Sequence, residues 1–152
     1  MKWHKFILGI LIALVILTTS TLAERLEYPP EEFLARRDLL AKNIDGGLLL
    51  MFSSTLPTPG IRFRQDHDFF YLTGNESLNA VLVMDLSSGD SHLFLPKLSA
   101  LEIKYEGVNW LNETDPALKR GFKTIQSLEK LHNFLAQSRR VSGAKVLWTR
   151  LS

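Results

Sequence analysis

The chain has 152 residues, 45% of them hydrophobic and 22% charged, which is enough for one domain with a sizeable core and too little for two large ones. It contains no cysteine, which excludes a disulfide framework, a thiol nucleophile and a zinc site built on cysteine. Lys2 and Lys5 are the only formal charges in residues 1–23, and without them the 18 basic residues become 16, equal to the 16 acidic ones. We therefore expect no nucleic-acid partner.

The first 23 residues have the three-part layout of a secretory signal peptide. A short basic region with Lys2 and Lys5 precedes an uncharged apolar run over residues 6–17, and small or hydroxylated residues then lead to Ala23. The apolar run is shorter than the roughly 20 residues that span a bilayer. We expect export to the periplasm or the medium, with residues 1–23 removed and no stable membrane span left. An uncleaved signal anchor is the alternative.

The exported part, residues 24–152, is predicted to open with a helix and a buried strand. Two consecutive prolines suit the first turn of a helix, and apolar residues recur at helical spacing over residues 29–43. Two glycines in residues 45–47 end that pattern. The unbroken apolar run over residues 48–52 is typical of a strand buried on both faces. Residues 53–60 contain two prolines and are predicted to form a loop.

Three further strands are predicted in the middle of the chain. The aromatic run over residues 69–72 is interpreted as a strand that a Thr-Gly-Asn turn closes. The apolar run over residues 80–85 leads through a Ser-Ser-Gly-Asp turn into residues 91–95, which predicts a β-hairpin.

The last third is predicted to contain two helices and a final strand. Ser99 and Glu102 have the spacing of a capping box, which predicts a short helix ending at Gly107. A final strand is predicted over residues 146–148. The fold class is therefore α/β, a single domain with a mixed sheet of about five to six strands flanked by helices. The second helix is predicted from apolar residues at helical spacing, which are Ile125, Leu128, Leu131 and Leu135.

No catalytic or metal-binding residue is predicted in this chain. The sequence has no Gly-x-Ser-x-Gly elbow and no glycine-rich phosphate loop. Asp66, His67 and Asp68 are metal-ligating residue types, but neighbouring side chains on a strand point to opposite faces and do not converge. Asp85 and Asp90 at strand ends would suit a nuclease-like pair, although Asp90 fits the hairpin turn better.

A resemblance to a known family appears in residues 63–74, Phe-Arg-Gln-Asp-His-Asp-Phe-Phe-Tyr-Leu-Thr-Gly, which resemble the signature of the aminopeptidase P N-terminal domain. Upstream, Arg36 and Arg37 follow a phenylalanine, as paired arginines do in the first helix of that family. Downstream, Tyr105 and Gly107 fall where the family has Trp-x-Gly. The resemblance extends over nearly all of the exported part. Within the signature, the matching residues are Arg64, Gln65, Asp68, Phe69, Tyr71, Thr73 and Gly74.

The resemblance implies the creatinase/aminopeptidase P fold, which is ribonuclease H-like, and the activity of an Xaa-Pro aminopeptidase, a hydrolase that removes an N-terminal residue preceding proline. In that family a C-terminal pita-bread domain holds two divalent metal ions, usually manganese, on two aspartates, one histidine and two glutamates. None of these ligands can be placed in this chain. The resemblance therefore implies an N-terminal domain that binds no cofactor and is inactive alone.

The same resemblance implies the partners. A catalytic pita-bread domain or a neighbouring peptidase subunit would be the protein partner, and Xaa-Pro peptides would be substrates of the complete enzyme. The alternative is a free-standing secreted module for binding or oligomerisation, without peptidase activity.

Two residues are candidates for an interface or for the entrance to a neighbouring subunit's site. Arg64 could bind both oxygens of a carboxylate, and Tyr105 stands where the family has an entrance-lining tryptophan. The alternative, which we favour, is structural: Arg64, Asp68, Tyr71 and Thr73 tie the loop to the sheet.

Overall fold

The structure is a computed structural model that describes residues 28–55, 64–106, 109–141 and 146–149. In these ranges the chain forms five α-helices, two 3₁₀ turns and five strands. The helices are α1 (Pro30–Asn43), α2 (His67–Thr73), α3 (Ala100–Glu106), α4 (Pro116–Lys119) and α5 (Leu131–Val141), and the 3₁₀ turns are η1 (Trp110–Asn112) and η2 (Leu128–Lys130). The strands are β1 (Leu48–Phe52), β2 (Val81–Asp85), β3 (Ser91–Leu95), β4 (Thr124–Ser127) and β5 (Leu147–Thr149).

The strands form one mixed sheet in the order β4-β3-β2-β1-β5. β2 pairs antiparallel with both β1 and β3, whereas β4 and β5 are parallel to their neighbours β3 and β1. The predicted hairpin is present, and Asp85 closes its turn by accepting a hydrogen bond from the Ser87 amide at 2.9 Å. The predicted single α/β domain with a mixed sheet is confirmed, and the sheet has five strands in the described part.

Both faces of the three central strands, β1, β2 and β3, are largely buried, as the apolar runs predict. Leu49 and Met51 point to the face that α2 covers, and Leu48 and Leu50 point to the face that α5 covers. This alternation follows from the period of two along a strand. Each large apolar side chain that is fully buried contributes about 1.5–3 kcal/mol to stability. On the α2 face such side chains include Phe69, Leu82, Met84, Leu93 and Leu95.

The prediction of a strand over residues 69–72 is wrong, because these residues lie in helix α2. Asp66 caps the helix by accepting a hydrogen bond from the Phe69 amide at 2.9 Å. Gly74 ends it in the left-handed conformation, with φ of 65°. Phe69, Leu72 and Thr73 are the buried residues of α2, and their spacing of three and four is helical. The aromatic composition of the segment therefore concealed a short helix.

The predicted helix from Ile125 onwards is also wrong in its first half. Residues 124–127 form β4, η2 follows, and α5 begins only at Leu131. Ile125 packs on the α2 face of the sheet, whereas Leu128 and Leu131 pack on the opposite face. The four residues of the predicted stripe therefore never share one helical face.

Other predicted boundaries are confirmed within about one residue. α1 ends at Asn43 as predicted, and the last strand is shifted by one residue, to Leu147–Thr149. The capping box is present, since the Ser99 amide donates to the Glu102 carboxylate at 2.7 Å and the Glu102 amide donates to Ser99 Oγ at 3.3 Å. The hydrogen bonds from Ser99 lower the pKa of Glu102. Gly107, the predicted end of α3, lies outside the described residues.

The α2 C-cap generates the first prediction. A Cβ atom on Gly74 would lie 2.6 Å from the Phe33 ring, whereas one on Gly89, at φ of 78°, would meet no atom within 4 Å. Gly89→Ala should therefore cost only left-handed strain, about 1 kcal/mol. Gly74→Ala should cost about 2–4 kcal/mol, because overpacking is added to the same strain. Urea unfolding of both variants measures the difference, and equal losses would contradict the packing argument.

His92 joins β3, β4 and α5. Its Nδ1 lies 2.9 Å from Thr124 Oγ1 on β4, and its ring centroid lies 4.6 Å from that of Phe134 on α5. Burial lowers the pKa of His92 from its ordinary value near 6.5; Asp90 and Asp85 oppose this effect, and Lys123 adds to it. The folded state therefore prefers the neutral imidazole more strongly than the unfolded state does.

A pH dependence follows from this lowered pKa. The unfolded chain binds the proton more readily, so the contribution of His92 to stability is complete above about pH 6.5 and is lost as the pH falls. We expect the free energy of unfolding to decrease between about pH 7.5 and about pH 5, and His92→Gln to reduce that decrease. Denaturant titrations at several pH values measure both quantities. An unchanged pH dependence in His92→Gln would contradict the assignment.

Candidate functional site

The paired arginines of α1 meet the C-terminal end of α2, in the segment that carries the family signature. Arg36 Nη1 donates to the Tyr71 carbonyl at 3.2 Å, and Arg37 Nη1 donates to the Leu72 carbonyl at 2.8 Å. The last carbonyls of a helix lack intrahelical partners and form the negative end of its dipole. Two adjacent guanidinium groups therefore complement the charge and the hydrogen bonding of this helix end.

Among the residues that the structure describes, Arg37 is the largest side chain that is completely buried, with 0% exposure. Its Nη2 donates to the Gly121 carbonyl and, at 3.4 Å, to the Arg120 carbonyl, and its guanidinium lies 4.0 Å from the Phe122 ring centroid. Burial lowers the pKa of Arg37 to about 10, and Asp38 opposes the shift. The group therefore stays charged at neutral pH, and its described partners are carbonyl oxygens and an aromatic ring.

Arg36 lies in a cage of its own aromatic neighbours. Its guanidinium carbon is 5.0, 5.2 and 4.4 Å from the ring centroids of Tyr28, Phe33 and Tyr71. Glu32, one turn earlier on α1, accepts a hydrogen bond from Nη2 at 2.9 Å. An aromatic cage can bind a ligand cation. Here the cation is supplied by the chain itself, so the cage stabilises the contact between α1 and α2.

Gln65 and Thr73 hold the two ends of α2 to the neighbouring backbone. Gln65 Oε1 accepts from the amides of Ser54 and Asp66 at 2.7 and 2.8 Å, and its Nε2 donates to the Ser77 carbonyl at 3.0 Å. Thr73 Oγ1 donates to the Phe69 carbonyl at 2.7 Å and accepts from the Asn75 amide at 3.0 Å. These side chains therefore use their polar atoms inside the domain.

The structure describes the two candidate interface residues only in part. Arg64 is exposed, and its backbone carbonyl accepts from Ser54 Oγ at 3.4 Å. Tyr105 falls in α3, but its side chain and Gly107 lie outside the described residues. Asp68 is exposed in the first turn of α2, where the positive end of the helix favours a carboxylate. An entrance-lining role for Arg64 and Tyr105 stays a prediction.

The structure also bears on the two carboxylate clusters considered from the sequence. His67 begins α2 and Asp66 caps it, so these residues are not on a strand. Asp85 accepts hydrogen bonds from the hairpin turn, which is a structural role. Over residues 28–55, 64–106, 109–141 and 146–149, no three His, Asp or Glu side chains come together to hold a metal ion. The described residues therefore do not fit a two-metal centre.

The sequence analysis did not identify the contacts of Arg120, a third arginine whose backbone carbonyl contacts Arg37. Arg120 Nη2 donates to both carboxylate oxygens of Glu113, at 2.8 and 3.0 Å, and the guanidinium lies 4.1 Å from the Trp110 ring centroid. Arg120 and Glu113 are seven residues apart and lie in turns between short elements. No periodic pattern marks them in the sequence.

Together, the fold and these contacts define a small α/β domain in which Arg37, Gln65 and Thr73 make hydrogen bonds to the backbone of the domain. Residues 33–148 match the family model of the aminopeptidase P N-terminal domain. The chain therefore belongs to the aminopeptidase P N-terminal domain family.

Solved structures agree with this assignment. Aminopeptidase P from Escherichia coli, solved with the inhibitor Pro-Leu, is 25% identical with a TM-score of 0.67, over 81% of this chain and 29% of that one. Icp55 from Saccharomyces cerevisiae is 20% identical with a TM-score of 0.64, over 81% and 30% of the two chains. A protein from Bacillus anthracis assigned as an aminopeptidase P is 17% identical with a TM-score of 0.66, over 82% and 31%. The last two comparisons show the fold alone.

The chain spans less than a third of the length of these solved relatives. A search of curated protein sequences found no significant match. Among the helices that the structure describes, none is both long enough and apolar enough to cross a membrane.

The arginine pair generates the next prediction. Arg37→Lys keeps the charge, but one ammonium group cannot reproduce a planar guanidinium that donates to Leu72 and Gly121 on different sides. We expect Arg37→Lys to lower the free energy of unfolding by about 2–4 kcal/mol. Arg36→Lys, at the more accessible position, should cost about 1 kcal/mol. Urea denaturation measures both losses, and a loss at Arg36 equal to or larger than that at Arg37 would contradict this account.

Proposed function

We propose that this chain is the non-catalytic N-terminal domain of an Xaa-Pro aminopeptidase and that it does not hydrolyse peptides by itself. The observation that carries the proposal is the family match over residues 33–148, combined with the internal use of the signature. The two terminal nitrogens of Arg37 and the polar side-chain atoms of Gln65 and Thr73 form hydrogen bonds with the backbone of the domain. A catalytic group must instead be directed at a substrate in a cleft.

The proposal assigns metal and substrate chemistry to another part of the enzyme. Two divalent metal ions, manganese in the usual case, would activate water in a catalytic pita-bread domain or in a neighbouring peptidase subunit. Xaa-Pro peptides would bind there. This chain would contribute to the assembly of the enzyme. The assignment of the chemistry to another part is supported by the solved relatives, which are more than three times as long as the matched segment.

We also propose that the chain is exported and that residues 1–23 are its signal peptide. The support is the sequence layout, a basic start with Lys2 and Lys5, an apolar run and small residues before Ala23. Removal of the segment would leave residues 24–152.

The proposal predicts that the purified chain does not cleave a peptide with proline in second position, even with Mn²⁺ added. Product formation should stay at the level of a reaction without enzyme, because the described residues offer no set of metal ligands. Liquid chromatography of the reaction measures it, and Escherichia coli aminopeptidase P serves as the positive control. Cleavage that depends on added metal would contradict the assignment of the chemistry to another domain.

The intact mass of the native product separates the two candidate functions. A mass well above 17.3 kDa would support the front part of a complete aminopeptidase. A mass near 17.3 kDa, or lower by the signal segment, would support the alternative, a free-standing binding or oligomerisation module. The observation that favours this alternative is the exposed apolar edge at β5, where Leu147 is 60% exposed.

A further inference from the structure

The two faces of the sheet are covered unequally. On the α2 face, the covering elements contribute buried side chains of their own, such as Phe69 and Leu72. On the opposite face, the buried core residues that the structure describes all belong to strands, and they are Leu48, Leu50, Val81, Val83 and Phe94. The side chains of η2 and α5 that pack on them are only half-buried, and they are Leu128, Leu131, Phe134 and Leu135. Residues 128–141, here called the cover, are therefore held to the sheet less tightly than α2 is.

Detachment of the cover from the sheet would also unfold α5. This helix has 11 residues, and isolated helices shorter than roughly 12–15 residues are marginal in water. Its inner stripe consists of Leu131, Phe134 and Leu135, at the helical spacing of three and four, whereas His132 and Asn133 are exposed. The helical hydrogen bonds of α5 therefore depend on the contact between this stripe and the sheet, and their loss would report detachment.

One titratable residue, His92 on β3, lies under the cover. Its ring centroid is 4.6 Å from that of Phe134, and the Phe134 ring also packs on Phe94 at 5.1 Å. Phe134 therefore contacts both an imidazole and a fully buried ring of the sheet. Burial lowers the pKa of His92, so the closed cover favours the neutral imidazole.

The hydrogen bonds of Thr124 also suit a neutral imidazole. Thr124 Oγ1 accepts from Gln126 Nε2 at 3.0 Å and lies 2.9 Å from His92 Nδ1. In the neutral imidazole, Nδ1 can accept the single hydroxyl proton of Thr124. In the charged imidazolium both ring nitrogens are donors, so that proton must turn to another acceptor. Protonation therefore disturbs a contact that joins β3 to β4.

The charges near His92 partly cancel. Asp90 and Asp85 favour the imidazolium, whereas Lys123 opposes it. Lys123 Nζ lies 3.7 Å from an Asp90 carboxylate oxygen, and both side chains are exposed, so solvent and this ion pair weaken the effect of Asp90 on His92. The charged or titratable side chains of the cover that the structure describes are all exposed, and they are Glu129, Lys130, His132 and Arg140.

We propose that the cover is a pH-sensitive element: protonation of His92 detaches η2 and α5 from the sheet, while the sheet and the α1–α2 side stay folded. In the open state the imidazole is solvated and has its ordinary pKa near 6.5. The open state therefore binds the proton more tightly than the closed state does, so the open fraction rises as the pH falls below about 6.5. One proton changes this equilibrium by at most about tenfold per pH unit. Opening uncovers the apolar strand residues beneath η2 and α5.

Hydrogen exchange of the full chain, followed by mass spectrometry, tests the proposal. The measurement compares the protection of amides in α5, residues 131–141, with that in β2, residues 81–85, after correction for intrinsic exchange rates. We expect α5 to be at least about tenfold less protected than β2, because α5 opens locally. Between about pH 7.5 and about pH 5.5, the protection of α5 should fall by about threefold to tenfold.

Three variants assign this pH response to one residue. His92→Gln and His92→Phe remove the titrating group, and the phenylalanine keeps an aromatic ring against Phe134. In either folded variant the protection of α5 should change by less than about twofold between the two pH values. His132→Gln is the matched control, because it removes an exposed histidine from α5 itself and should keep the response of the wild type.

Several outcomes would overturn the proposal. Equal protection of α5 and β2 would mean that both exchange through global unfolding. An unchanged or higher protection of α5 at the lower pH would mean that attraction between the imidazolium and the Phe134 ring prevails. A response that persists in His92→Phe, or disappears in His132→Gln, would assign the titration to another group. The measurement uses neither peptide nor metal, so its outcome is independent of the proposed function.

Discussion

The buried guanidinium of Arg37 constrains how the helices can be placed on the sheet. Taking a charged group out of water costs several kcal/mol unless polar groups of the protein replace the water. The carbonyls of Leu72 and Gly121 provide that replacement for the two terminal nitrogens, and the Phe122 ring covers one face of the guanidinium. The buried Nε has no hydrogen-bond partner among the described residues, so the satisfied terminal nitrogens must offset its cost. α1, α2 and the turn after α4 must therefore converge on one point. Arg36 strengthens the same convergence from the more exposed side, through Tyr71.

Some elements of the fold can be predicted from the sequence, whereas others depend on contacts between distant residues. β1 and β2 contain apolar runs that the sheet buries on both faces, so composition identifies them. β3 begins with Ser91 and His92 and is identified by the turn that connects it to β2. α2 has only seven residues, too few for a helical period to stand out against an aromatic, strand-like composition. Its end signals, Asp66 and Gly74, are readable in the sequence. β4 is set by parallel pairing with β3, which lies some thirty residues earlier, so no local pattern specifies it.

In the candidate site, the sequence identifies the important side chains but not their hydrogen-bond partners. The resemblance identifies Arg36, Arg37 and Gln65 as residues of interest, but their partners are largely backbone carbonyls and amides. Every residue has these groups, so a sequence does not reveal which ones will be used. The structure shows that the signature forms a joint between α1, α2 and the loops around them. A signature of this kind reports the requirements of a fold, because the hydrogen bonds of these residues lie within the domain.

The hydrogen bonds of the arginines show where this domain uses its charged groups. Arg37 and Arg120, two strong hydrogen-bonding groups, are bound to the carbonyl of Gly121 and the carboxylate of Glu113 within the domain. The exposed strand edge at β5, by contrast, offers apolar side chains and backbone groups. Charged residues thus stabilise the interior junctions of this domain, whereas the exposed side chains of β5 are uncharged.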